Sequence, residues 1–109
     1  MRDNVKGGAL TETTLFILLA LYKPNHGYGI MQFIEDKTKG RVSLGAGTLY
    51  GAINTLLKKE WIEQYENKDG YRKKQYLITL KGKSIVQNEI ARLNNVLNIS
   101  LEIVGDDKI

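Results

Sequence analysis

"GTLYGAINTLLKKEWI", residues 47–62, runs from small and hydroxyl-bearing residues through an apolar stripe to two lysines, a glutamate and the only tryptophan of the chain. Leu49, Ile53 and Leu56 recur at spacings of four and three, with Ala52 and Leu57 beside them, so they share one helical face. With Leu49 set at 0° and about 100° added per residue, Gly47, Tyr50, Gly51, Asn54, Thr55 and Lys58 fall on the other side. That outer face is polar and low in bulk. One side anchors the helix; the other is shaped for close approach to a partner.

Outward from this helix, Ser43, Gly45 and Gly47 predict a loop ahead of it. Upstream, Tyr28, Met31, Ile34 and the neighbouring Ile30 and Phe33 repeat at helical spacing after "KPNHGYG", and Gly40 supplies a stop. A first helix is capped by Thr11 and carries a continuous apolar run through Tyr22, which implies burial on more than one side. Pro24, the single proline, separates the two. Downstream, Trp61 to Glu66 and Lys74 to Thr79 read as strands, with Asp69-Gly70 marking the turn between them. Thr79 can then cap a final helix.

In that final helix Val86, Ile90, Leu93, Leu97, Leu101 and Val104 step by threes and fours, flanked by Ile85, Val96, Ile99 and Ile103. Three short preceding helices offer too little surface to cover so wide a band. Part of it is expected to meet a second subunit, with Val86, Ile90, Leu93, Val96, Leu97, Leu101 and Val104 at a homodimer interface. The division is then residues 1–79 as one domain and residues 80–109 as a dimerisation helix and tail.

Composition narrows the chemistry. A chain of 109 residues suits one domain, and it contains no cysteine, which removes disulfides, zinc fingers and a cysteine nucleophile. The longest apolar run, Leu15 to Tyr22, falls far short of the ~20 residues that span a bilayer, so no membrane association and a cytoplasmic location are expected. The lone histidine, His26, sits in a Gly-rich turn without metal-ligand spacing, and Glu35 and Asp36 diverge by about 100° on their helix. Neither an enzyme nor a cofactor or metal site is expected; His26 reads as a helix-start residue.

The net charge of +4 is unevenly spread: residues 40–83 hold nine Lys/Arg against four Asp/Glu. Helix, helix, loop, helix, hairpin, helix is the order of a winged helix-turn-helix, an α+β fold, mainly α, whose third helix enters the DNA major groove beside a hairpin wing. The expected DNA-facing set is Ser43, Thr48, Tyr50, Gly51, Asn54, Thr55 and Lys58, with Lys68, Tyr71, Arg72, Lys73 and Lys74 from the wing. Tyr50 borders the core face, so it either packs its ring inside or offers its hydroxyl to a phosphate. A winged helix that binds protein instead of DNA is the alternative. It predicts an apolar or acidic outer face and a neutral wing, and this chain has neither.

"HGYGI" (26–30), "GTLYGAINTLLKKEWI" (47–62) and "RKKQYLITLKGK" (72–83) resemble, in order, three signatures of the PadR family of transcriptional regulators. The similarity runs from about Leu15 to Lys83. It implies a dimeric, usually repressing regulator on a double-stranded operator, with Thr48 and Tyr50 near DNA. Gly51 stands where many members have proline, and Gln75 where many have an aromatic residue. Drug-binding members carry a tryptophan in the last helix; this one has no aromatic residue there, so a flat aromatic effector is not expected. A small apolar effector, where the final helices meet the first, is the remaining expectation.

Overall fold

Three of the four helices begin at a side chain that accepts a backbone N–H. Helix α1, Glu12–Ala20, starts where Thr11 Oγ1 accepts from Thr14 N at 3.1 Å. Helix α2, Gly27–Thr38, starts where His26 Nδ1 accepts from Gly29 N at 3.0 Å. Helix α4, Leu80–Val104, starts where Thr79 Oγ1 accepts from Gly82 N at 3.0 Å. Helix α3, Ala46–Lys58, follows Gly45 with no side-chain cap. These elements come from a computed structural model that describes residues 8–66 and 74–105.

Strands β1 (Asn25–His26), β2 (Ile62–Tyr65) and β3 (Gln75–Ile78) form an antiparallel sheet in the order β1-β3-β2. Ile62 pairs with Ile78 and Gln64 with Tyr76, so Ile62, Tyr76 and Ile78 turn one face of the sheet inward. The core they join holds Ile17, Leu18 and Leu21, Ile30 and Ile34 from α2, Leu49, Ile53 and Leu56 from α3, and Val86. Each such side chain contributes about 1.5–3 kcal/mol by leaving water. The α3 stripe read from the sequence is therefore the stripe that packs.

Four local readings change. Helix α1 stops at Ala20, although Leu21 beyond it is still fully buried. Gly47 lies inside α3 instead of the loop, because Leu49 N–H already bonds to Gly45 C=O at 3.0 Å and closes the first turn. Strand β1 was not expected: two residues carry no periodicity, and Asn25 and His26 become a strand only by pairing with Tyr76 and Gln75. Tyr28, placed with the apolar positions of α2, is 65% exposed.

A knot of backbone contacts sets the exit of α3. Glu60 takes a left-handed φ of 61°, Thr79 Oγ1 donates to Glu60 C=O at 2.7 Å, and Thr79 N–H donates to Trp61 C=O at 3.0 Å. Ile78 N–H donates to Leu21 C=O at 2.8 Å, which ties the sheet to α1. The end of α3, the sheet and the start of α4 thus share one joint.

Helix α4 buries only its first turns. Val86, assigned above to a dimer interface, is 1% exposed within the core of its own chain and has no surface left for a partner. Beyond it, Glu89 is buried and takes a two-pronged ion pair from Arg92, Nε to Oε1 and Nη2 to Oε2, both at 2.7 Å. Hydrogen bonding and charge from Arg92, aided by the Leu10 backbone amide and opposed by burial, hold the Glu89 carboxyl below its ordinary value of 4.5. An acid depressed in the folded state stabilises above its unfolded value and loses that contribution as pH falls through its folded one. Chemical denaturation from pH 7 to pH 3 should therefore show a steeper loss below about 4.5 for the native chain than for Glu89→Gln; parallel curves would show that the pair contributes nothing.

Candidate nucleic-acid interface

Leu49, Ile53 and Leu56 hold α3 against α2 and β2, which leaves Thr48, Gly51, Asn54, Thr55 and Lys58 exposed along its outer side. Thr48 and Asn54 are exposed and make no side-chain hydrogen bond to another described residue. Thr55 differs: its hydroxyl donates back to Gly51 C=O at 3.2 Å and offers chiefly its lone pairs. Ser43 is exposed in the loop ahead of the helix. At that end the N–H groups of Ala46, Gly47 and Thr48 have no acceptor within the helix and no capping side chain from Gly45. The first turn therefore presents backbone donors beside small side chains, an arrangement suited to phosphate.

Tyr50 takes a position between the two that its place on the wheel allowed. It is 46% exposed, and its ring lies on α2, where a Cβ on Gly27 would collide with the Tyr50 hydroxyl. His26, Gly27, Tyr28, Tyr50, Lys74 and Tyr76 together line a cleft of about 280 Å³ at the meeting of α2, α3 and β3. Burial, followed by the proximity of Tyr50, raises the Tyr76 hydroxyl above the ordinary phenol value of 10.0. Of the wing residues, Lys74 is exposed and lines this cleft. Lys68, Tyr71, Arg72 and Lys73, with the Asp69-Gly70 turn, lie outside the described residues.

The basic excess counted along the chain is partly neutralised at home. Arg41 makes a two-pronged ion pair with Glu12 at 2.9 and 3.0 Å, each partner raising or lowering the other in the direction of charge. Lys59 stacks 4.6 Å from the centre of the Trp61 ring and Lys83 5.6 Å from that of Tyr22. Lys58 and Lys74 make no such contact within the described residues. A charge count cannot separate these groups, because pairing depends on where the chain brings Glu12 and Trp61.

Along α4, Ile90, Leu93, Val96, Leu97, Leu101 and Val104 are exposed, from 42% at Ile90 to 61% at Val104. At the root of that band Phe16, Leu19, Phe33, Val86 and Ile90 line an apolar groove of about 680 Å³. The polar outer face of α3 and the apolar band of α4 are thus carried by different elements. Sequence reasoning missed His26 and Tyr28 as members of the cleft beside α3; the signal was their adjacency to glycines, which leave no bulk to cover them.

The Transcriptional regulator PadR-like family model matches residues 15–88. A relative from Lysinibacillus sphaericus, described as uncharacterized protein X, is 32% identical over 107 residues, covering 94% of this chain and 96% of its own length. Among solved structures, a PadR family transcription regulator from Clostridium difficile superposes with a TM-score of 0.72 at 19% identity, covering 86% of this chain and 99% of that one. A transcriptional regulator from Clostridium thermocellum superposes with a TM-score of 0.66 at 21% identity, over 90% of this chain and 93% of that one. At such identities the likeness speaks to the fold, a winged helix-turn-helix with a long final helix.

Proposed function

The chain belongs to the PadR-like family of transcriptional regulators, and from that membership we propose that it represses transcription as a homodimer on an inverted-repeat operator, reading sequence with α3. The observation that carries this reading is the outer face of α3: exposed Thr48, Asn54 and Lys58 beside an uncapped first turn, with no acidic residue anywhere in the helix. Two-fold symmetry would present two such helices to half-sites one DNA turn, or a multiple, apart.

A salt titration on duplex DNA tests the reading. Each phosphate neutralised steepens log K against log salt by about 0.9, so the purified chain should show a steep negative slope. No binding at low salt would favour the protein-binding alternative. The division of labour predicts two kinds of variant. Lys74→Gln should weaken all sequences alike and reduce the slope by about 1, as should Arg72→Gln and Lys73→Gln in the wing. Thr48→Val, Asn54→Ala or Thr55→Val should cost about 1–3 kcal/mol at the base pair it reads and leave other sequences unchanged. Uniform losses from the α3 variants would reject that division.

For the dimer, the support is the apolar band of α4 together with the groove at its root, where Phe16, Leu19, Phe33 and Ile90 offer apolar side chains to a second α4. A small apolar effector would enter at the same groove and compete with, or reshape, that contact. It would change operator affinity only insofar as it binds the two arrangements unequally.

A further inference from the structure

Helix α3 ends on a residue that does not favour its own conformation. The last turn closes with Trp61 N–H on Leu56 C=O at 3.1 Å and Glu60 N–H on Leu57 C=O at 3.0 Å, and the left-handed position that usually falls to glycine is taken by Glu60 at φ 61°. Such a conformation persists where its surroundings hold it. Thr79, 19 residues further along the chain, supplies the hold. Its hydroxyl donates to Glu60 C=O at 2.7 Å, its amide donates to Trp61 C=O at 3.0 Å, and the same hydroxyl oxygen accepts Gly82 N–H at 3.0 Å to cap α4. Within the described residues it is the one side chain hydrogen-bonded both to the end of α3 and to the start of α4. The close of one helix and the cap of the other are therefore a single clasp.

The place of the clasp matters because α4 is long. Leu97, midway along the exposed apolar band, lies about 27 Å from Thr79 at about 1.5 Å per residue. A tilt of about 10° at the root therefore moves one end against the other by about 5 Å, more than the roughly 3.4 Å of one base-pair step. We propose that Thr79 is a positioning residue for operator recognition: it clasps α3 to α4 and so fixes the half-site spacing that the dimer accepts, without itself touching DNA. The inference rests on the reading of the chain as a regulator that binds DNA as a dimer paired through α4. The clasp acts on the distance between two reading heads, not on what either head reads. Loosening it broadens the range of accepted spacings, whereas loss of a base contact lowers affinity at every spacing alike.

The test inserts or deletes one or two base pairs at the centre of an operator fragment retained by the purified chain, and titrates each duplex. Native protein should lose about tenfold in affinity for one added or removed base pair. Thr79→Asp keeps an acceptor for the Gly82 amide but has no proton for the Glu60 carbonyl, so α4 stays capped while the clasp opens. Its loss across the same series should shrink to about twofold. Thr79→Ser keeps both roles of the hydroxyl and should restore the native profile. Thr11→Val removes the cap of α1 and should lower the melting temperature similarly while leaving the profile as steep as in the native chain. Ratios between spacings are compared, since the charge added by Thr79→Asp acts on every duplex alike. Thermal melting establishes that Thr79→Asp is folded; should it not be, Glu60→Gly frees the left-handed position without removing a hydrogen bond and should broaden the profile to a smaller extent. A folded Thr79→Asp protein with a profile as steep as the native one would overturn the proposal. Equal flattening by Thr11→Val would overturn it as well, by tracing the effect to general loosening of the fold. So would a native dimer that binds the fragment and is indifferent to spacing. A native chain that binds no duplex at low salt, or binds it as a monomer, would overturn the proposal together with the reading on which it rests.

Discussion

Gly82→Ala is expected to destabilise the fold by about 2–3 kcal/mol, against the sign that helix propensity predicts. Gly82 lies in the first turn of α4, where alanine would ordinarily be favoured by about 0.5–1 kcal/mol. Here a Cβ would run into the Trp61 backbone carbonyl and Ile78 Cγ1. The carbonyl cannot retreat cheaply, because it accepts the Thr79 N–H at 3.0 Å and belongs to the joint that fixes the end of α3. The strain therefore passes into the angle between α3 and α4, and operator binding should fall together with the denaturation midpoint. Gly51→Ala is the control: it too is helical, with nothing within 4 Å of the added carbon, and should stabilise by about 0.5–1 kcal/mol. Equal midpoints for Gly82→Ala and the native chain would show that α4 can slide, and that the joint is softer than its hydrogen bonds imply.

The second large effect concerns assembly. Leu93→Asp/Leu97→Asp is expected to convert a dimer into a folded monomer, because both side chains are about half exposed and lie outside the buried core cluster. A carboxylate buried unpaired in an apolar interface costs several kcal/mol, so the dissociation constant should rise by at least about a hundredfold. Sedimentation reports the mass and thermal melting reports the fold. Val86→Asp should behave differently, unfolding the domain outright, since Val86 is 1% exposed in the core. A doubly substituted protein that still sediments as a dimer would place the interface elsewhere and leave the apolar band without its proposed partner.

The elements that were legible in the sequence are those whose cause is local. Thr11, His26 and Thr79 sit directly before periodic apolar positions, and each does accept an amide from the first turn that follows. Leu49, Ile53 and Leu56 are anchored as their spacing requires, because a helix brings residues three and four apart onto one face whatever surrounds it. Burial that depends on distant chain was legible only in part: the line from Val86 to Val104 is continuous in sequence, yet its first member is core and the rest is exposed.

By itself, then, the order of residues determined the helices, their caps, the polar face of α3 and the family signatures that share that order, since each arises from contacts within a few residues. Tertiary structure alone decided where charge and hydroxyl groups meet. Glu12 and Arg41, paired at 2.9 Å, are 29 residues apart, and the cleft draws His26, Tyr50 and Lys74 from three separate stretches of chain. Two residues of β1 acquire their conformation from β3, and Tyr28 escapes the core because the sheet and α3 leave its side of α2 open. Periodicity reports which side of an element is apolar; it carries no information about which element arrives opposite, because that is settled by packing the whole core at once.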